Sequence, residues 1–162
     1  RRMGALRGME PGVVAPIVEA CCRIKAAVVA EDEREAGKRA VLNFGHTIGH
    51  AIETKAGFGM LHGEAVAIGM RYESELAERL GIAERGLAAA VRSGLEALSL
   101  PVERPDGDSL DELIEIMQGD KKARDGLVRF ALPERVGRMR QDGKQGWTVA
   151  VPEDALRATL ES

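Results

Sequence analysis

Apolar positions recur at helical spacing along most of the chain and at strand spacing only near its end. From Pro11 to about Ala30, Val14, Ile17, Val18, Cys21, Ile24 and Val28 repeat every three or four residues, and Pro11 suits a first helical position, where no N–H is needed. A charged connection, residues 31–37, follows. The next period predicts a helix from about Lys38 to Lys55, stopped by Gly57-Phe-Gly59. A third helix spans about Gly63 to Leu80 and ends at Gly81, a natural residue for a left-handed helix terminus. Its Gly63, Ala65, Ala67 and Gly69 are small enough to admit a neighbouring backbone. Helices over about 83–98 and 110–117 flank a Pro, Asp and Gly-containing loop.

The tail changes character. Residues 127–132, 136–139 and 147–151 cluster β-branched and apolar side chains between turn signals, which predicts short strands and a small hairpin. Pro152 then opens a last helix, with Glu153 and Asp154 where the helix dipole favours acids. The expectation is one mainly α, multi-helical domain over residues 1–162 with a small β-hairpin near the end.

Composition narrows the functional classes. With 162 residues, 44% of them apolar, 30% charged and a net charge of −3, the chain has the make-up of a globular domain and no basic surface that would select nucleic acid. No apolar run is long enough for a membrane span, so cytoplasm is the expected compartment. The two cysteines, Cys21 and Cys22, are adjacent in a helix, where disulfide geometry is unfavourable, and are expected to be buried free thiols. The chain opens Arg1-Arg2-Met3 and carries no glycine-rich phosphate loop, so a piece of something longer is expected.

Candidate chemistry is concentrated in one window, which holds all three histidines: His46, His50 and His62. At about 100° per residue, Arg39, Asn43, His46 and His50 would share a sector of roughly 60° on one helix, opposite Val41, Phe44, Ile48, Ala51 and Ile52. An ordinary solvated face carries Lys and Glu pairs. This one carries a guanidinium, an amide and two imidazoles, groups suited to anions, metals and protons. His62, after a short turn, can fold back towards His46 or His50. Zinc in a catalytic site takes three protein ligands and keeps an open position. The nearest carboxylates in sequence are Glu53 and Glu64, and spacing alone selects neither.

The run from Asp32 to Glu53, containing Asn-Phe-Gly-His-Thr-Ile-Gly-His, resembles the 3-dehydroquinate synthase family, as do Gly57-Phe-Gly59, Leu61-His-Gly-Glu-Ala-Val-Ala-Ile-Gly-Met70, Asp120-Lys-Lys122 and the hairpin region. The resemblance covers essentially the whole chain and is to the C-terminal helical domain; the family's amino-terminal NAD-binding α/β half is absent from these residues. It implies a shikimate-pathway lyase that converts 3-deoxy-D-arabino-heptulosonate 7-phosphate into 3-dehydroquinate and phosphate, using catalytic NAD and zinc, or Co2+ in its place. The implied chemistry is transient hydride removal at C5, phosphate elimination, hydride return and aldol closure.

By motif, the resemblance makes His46 and His62 zinc ligands and His50 the proton-transfer residue, with Glu35 as its acid-base partner. It makes Lys25, Arg39, Asn43 and Lys121 the binding groups for a phosphorylated sugar acid. The family's third zinc ligand is a glutamate preceding this segment, and neither Glu10 nor Glu19 stands in its place. An incomplete metal site and an inactive isolated chain are therefore expected, as is a homodimer for the full-length enzyme. The rival readings are a sister sugar-phosphate cyclase, such as a 2-deoxy-scyllo-inosose or 2-epi-5-epi-valiolone synthase, and more remotely a non-catalytic helical module with a structural metal. Retention of Lys25, Arg39 and Asn43 together favours the dehydroquinate synthase resemblance over the sister cyclases.

Overall fold

The computed structural model describes residues 2–34, 37–57, 59–119, 127–143 and 146–162. Seven α-helices and four short strands occur among these residues. Helix α1 (Arg2–Arg7) turns into the long α2 (Pro11–Glu31), and a 3₁₀ segment, Lys38–Asn43, leads to α3 (His46–Lys55). Helices α4 (His62–Arg79), α5 (Leu87–Ala97) and α6 (Leu110–Gly119) follow. Strands β1 (Val128–Phe130), β2 (Pro133–Arg135), β3 (Arg138–Met139) and β4 (Val149–Val151) precede α7 (Glu153–Leu160). No helix among the described residues is long and apolar enough to cross a membrane.

The core forms where α3 crosses α4. Ile48, Ala51 and Ile52 of α3 meet Ile68, Tyr72 and Leu76 of α4, and Leu113, Ile114 and Met117 of α6 close one side. Phe130, Leu132, Val151, Leu156 and Leu160 close the other, each less than 3% exposed. Burying a side chain of this size contributes about 1.5–3 kcal/mol, so this cluster supplies the main drive for folding.

The crossing is close enough to be set by glycine. A Cβ on Gly69 would be driven into the Gly45 carbonyl oxygen and to 2.8 Å from the Gly49 nitrogen; one on Gly49 would stand 3.0 Å from the Ala65 oxygen. The expected small stripe of α4 is thus borne out at Ala65 and Gly69, while Ala67, also buried, packs instead against Leu95 and Val102. It is not at Gly63, which is exposed and has nothing within 4 Å of a built Cβ. Gly81 terminates α4 as expected: at φ +67° it bonds Glu78, while Ile82 N–H donates to the Ala77 carbonyl.

Several expectations are corrected. The continuous helix over 38–55 breaks at Gly45, whose φ of +81° no helix interior accommodates. Arg39 and Asn43 therefore ride on a separate segment, not on the α3 face that carries His46 and His50. Helix α5 begins at Leu87, not Ala83, because Gly86 at φ +94° interrupts the backbone. Pro152 is the extended residue before α7 and not its first helical residue.

The expected small hairpin is present as β2 with β3, and beside it β1 pairs antiparallel with the distant β4. The Pro-Glu-Arg sequence of β2 carries no strand signal. Cys21 and Cys22 are exposed, not buried: α2 has no buried residue and contacts α1 and the 3₁₀ segment, so Ile17, Val18 and Ile24 face outward as well.

The two glycines of α4 separate packing from propensity. Gly69→Ala should destabilise the domain by about 3 kcal/mol, since backbone must move to admit the methyl group. Gly63→Ala should stay within about 0.5 kcal/mol of the parent. Urea unfolding of both variants measures this, and equal effects would contradict the crossing.

Candidate metal centre

His46 is the first residue of α3, His50 lies one turn on, and His62 is the first residue of α4. Because the two helices cross tightly, their N-terminal turns bring all three rings together. The centroids lie 5.3 Å apart for His46 with His50, 5.3 Å for His46 with His62, and 5.5 Å for His50 with His62. Each ring offers a nitrogen within 4.8 Å of those of the other two. Neighbouring ligands of a tetrahedral zinc at about 2.0–2.1 Å lie roughly 3.4 Å apart, somewhat closer than the 4.8 Å within which these nitrogens are grouped. The donor set fits a divalent, imidazole-preferring metal.

Hydrogen bonds fix two of the rings. His46 Nδ1 lies 3.2 Å from the Phe44 carbonyl, and His62 Nδ1 lies 3.2 Å from Glu53 Oε2. Both oxygens accept, so both Nδ1 atoms donate, and Nε2 of each ring keeps its lone pair. Metal-bound histidines are held in this way by carbonyls and carboxylates. Glu53 thus orients His62. Glu64 turns back instead to the Leu61 N–H at 3.2 Å and closes the first turn of α4.

Burial lowers the His46 pKa from its ordinary 6.5; nearby His50, His62 and Lys25 add to this, and the bond to Phe44 opposes it. The shift favours the neutral ring, the form that binds metal.

The cleft in front of the histidines has a volume of about 680 Å³ and is lined by Asn43, His46, Thr47, His50 and Glu53, with Ile116, Met117 and Gly119 of α6 opposite. Lys25, exposed on α2, is near enough to His46 to act on its charge. Arg39 is half-buried in a turn closed by Asp32, whose Oδ2 accepts the Gly37 and Arg39 N–H groups at 2.8 and 2.9 Å. Its guanidinium Nη1 donates to the Glu33 carbonyl at 3.2 Å. Glu35 and Lys121, expected as proton-relay and anion-binding residues, lie outside the described residues.

Sequence reasoning missed Glu73. Fully buried in α4, it accepts the Gly45 N–H at 2.7 Å through Oε2 and the Thr47 and Ile48 N–H groups at 3.1 and 3.2 Å through Oε1. The one available signal was an acid at a position of α4 that its own apolar period assigns to the core.

The lowered His46 pKa gives a pH prediction. Near pH 6 the unfolded chain takes up a proton that folded His46 resists, so stability falls as pH drops through about 6.5 and levels off below the folded value. His46→Gln should flatten that part of the profile. Denaturation midpoints from pH 8 to 5 test this; parallel profiles for parent and variant would contradict it.

Residues 1–123 match the sequence model of the 3-dehydroquinate synthase C-terminal family. Over 138 residues the chain is 48% identical to the 3-dehydroquinate synthase of Geobacter metallireducens and 39% identical to that of Shewanella loihica. Each alignment covers 85% of this chain and 38% of the relative, so the chain spans under two-fifths of their length. Among solved structures, a 2-deoxy-scyllo-inosose synthase complexed with carbaglucose-6-phosphate, NAD+ and Co2+ superposes with a TM-score of 0.80 at 25% identity, over 93% of this chain and 41% of that one. The 2-epi-5-epi-valiolone synthase of Streptomyces hygroscopicus subsp. jinggangensis 5008, with NAD+ and Zn2+ bound, shares the fold at a TM-score of 0.76 and 23% identity, over 98% of this chain and 44% of that one. A histidine triad at the mouth of a glycine-lined helix crossing and a family match spanning both helices lead to one assignment: the chain belongs to the 3-dehydroquinate synthase C-terminal family.

Proposed function

We propose that this chain is the metal- and substrate-binding part of a 3-dehydroquinate synthase, which converts 3-deoxy-D-arabino-heptulosonate 7-phosphate to 3-dehydroquinate and phosphate. The observation that carries the reading is the convergence of His46, His50 and His62 on one another beside a cleft that His46 and His50 line, in a chain 39–48% identical to proteins of that name. The sister cyclases are the alternative; the likeness to them is chiefly one of fold, at 23–25% identity.

His46 and His62 are the metal ligands in this proposal, through Nε2. The support is that these two rings have their Nδ1 protons committed to Phe44 and Glu53. Zinc bound there supplies Lewis acidity toward a substrate hydroxyl, and NAD, held by the other part of the enzyme, supplies the hydride acceptor. His50, one turn from His46 and exposed to the cleft, takes the proton of that hydroxyl at its free ring nitrogen, a role suited to an imidazole near neutral pH. Glu35 is assigned the next position in that proton path.

Arg39, Lys25, Asn43 and Lys121 are assigned to the carboxylate and phosphate of the substrate. A guanidinium can grip a carboxylate with two parallel hydrogen bonds, which an ammonium cannot imitate. Asn43 adds a neutral donor at the cleft wall, and Lys25 a positive charge on its α2 side. Ile116 and Met117 give the opposite wall an apolar surface that limits access of water. The carboxylate that completes the metal site, and the nucleotide site, are assigned to the part of the enzyme outside this chain. Dimerisation is assigned to the full-length enzyme.

In the full-length enzyme, His46→Ala and His62→Ala should each lose bound zinc, because too few ligands remain. His50→Ala should keep stoichiometric zinc while kcat falls by about 100-fold or more, the usual contribution of a general base. Elemental analysis and steady-state rates decide it; lost zinc in the His50 variant would reverse the assignment.

The chain alone should show no calorimetric heat with NAD and form no dehydroquinate, while mixing it with a separately expressed amino-terminal part should restore measurable turnover. Product formation by the chain alone would overturn the division of labour proposed here.

A further inference from the structure

Helix α3 starts at His46 directly after a left-handed glycine, so its own N-cap position carries no side chain to satisfy the first N–H groups. The capping is done from the neighbouring helix. One carboxylate, Glu73, holds three N–H groups of the turn that flanks His46, using Oε2 for Gly45 and Oε1 for Thr47 and Ile48. A helix N-terminus carries about half a positive charge. Without compensation, imidazoles at the N-terminal turns of two helices would form a poor site for a cation, and among the described residues the group that could hold a metal contains no carboxylate.

We infer that Glu73 is a positioning residue of the metal centre. It fixes the orientation of His46 through the turn it caps, and its buried charge cancels the positive end of α3 where the cation binds. It touches neither metal nor substrate. The inference rests on the metal-centre reading given under Proposed function.

Glutamine at this position has one acceptor oxygen, and its amide group donates. Either the Gly45 N–H or the Thr47 and Ile48 pair would then face another donor, and the charge would be lost. Aspartate keeps the charge and both oxygens on a stem one methylene shorter.

The test is titration of the metal-free full-length enzyme, which supplies the remaining ligand, with Co2+ and Zn2+ in four forms: parent, Glu73→Gln, Glu73→Asp and Leu156→Ala. The last removes packing from α7, away from the histidines, and controls for lost stability. The expected result is at least tenfold weaker metal binding in Glu73→Gln, with an altered Co2+ visible spectrum. Glu73→Asp should lie between parent and Gln variant, and Leu156→Ala should melt lower yet bind as the parent does. Amide exchange at Thr47 and Ile48 should speed up in Glu73→Gln, a signal independent of metal. A parent that binds and a Glu73→Gln variant that matches it in affinity and spectrum would overturn the inference alone. Equal weakening in Leu156→Ala would overturn it too, as a general stability effect. A parent that binds no metal would overturn the metal-centre reading and this inference with it.

Discussion

The backbone of α3 lies against the backbone of α4, and the rest of the site depends on that approach. Gly45, Gly49 and Gly69 remove the side chains that would hold the helices apart. Glu73 then reaches across the short gap to cap the turn that begins with His46. The same approach places the first residues of both helices side by side, so His46 and His62 meet although 16 positions separate them in the chain. Packing, capping and ligand geometry are consequences of one helix crossing.

A buried carboxylate in a core of Ile, Leu, Phe and Tyr would be costly without partners, and Glu73 has three N–H donors. A misfit at the crossing would therefore lose packing and leave a buried charge unsatisfied together. This coupling ties the shape of the site to the stability of the core.

The elements visible in the sequence were those with local causes. The period of α4, its terminator Gly81, the loop before α6 and the clustering of the histidines all follow from spacing within one segment. What was missed depends on partners distant in sequence. The break at Gly45 is invisible in the helical period, which runs on through it, and the need for a residue without a side chain there comes from Val66 and Met70 of the other helix. Glu73 looked like an acid in an amphipathic helix, because its three partners lie 25 to 28 residues away. Cys21 and Cys22 were expected inside because α2 is amphipathic, and periodicity says which face is apolar without saying that anything covers it. The roles of Glu53 and Glu64, equivalent by spacing, were separated only by geometry: one holds His62 and the other a helix end.

X-ray absorption of the zinc-loaded chain measures the central claim most directly, because it reports which atoms surround the metal. The crossing predicts at least two imidazole nitrogens at about 2.0–2.1 Å, with the outer-shell scattering of histidine rings, and no sulfur. A zinc–sulfur distance of about 2.3 Å would instead place the metal on Cys21 and Cys22 and contradict the account.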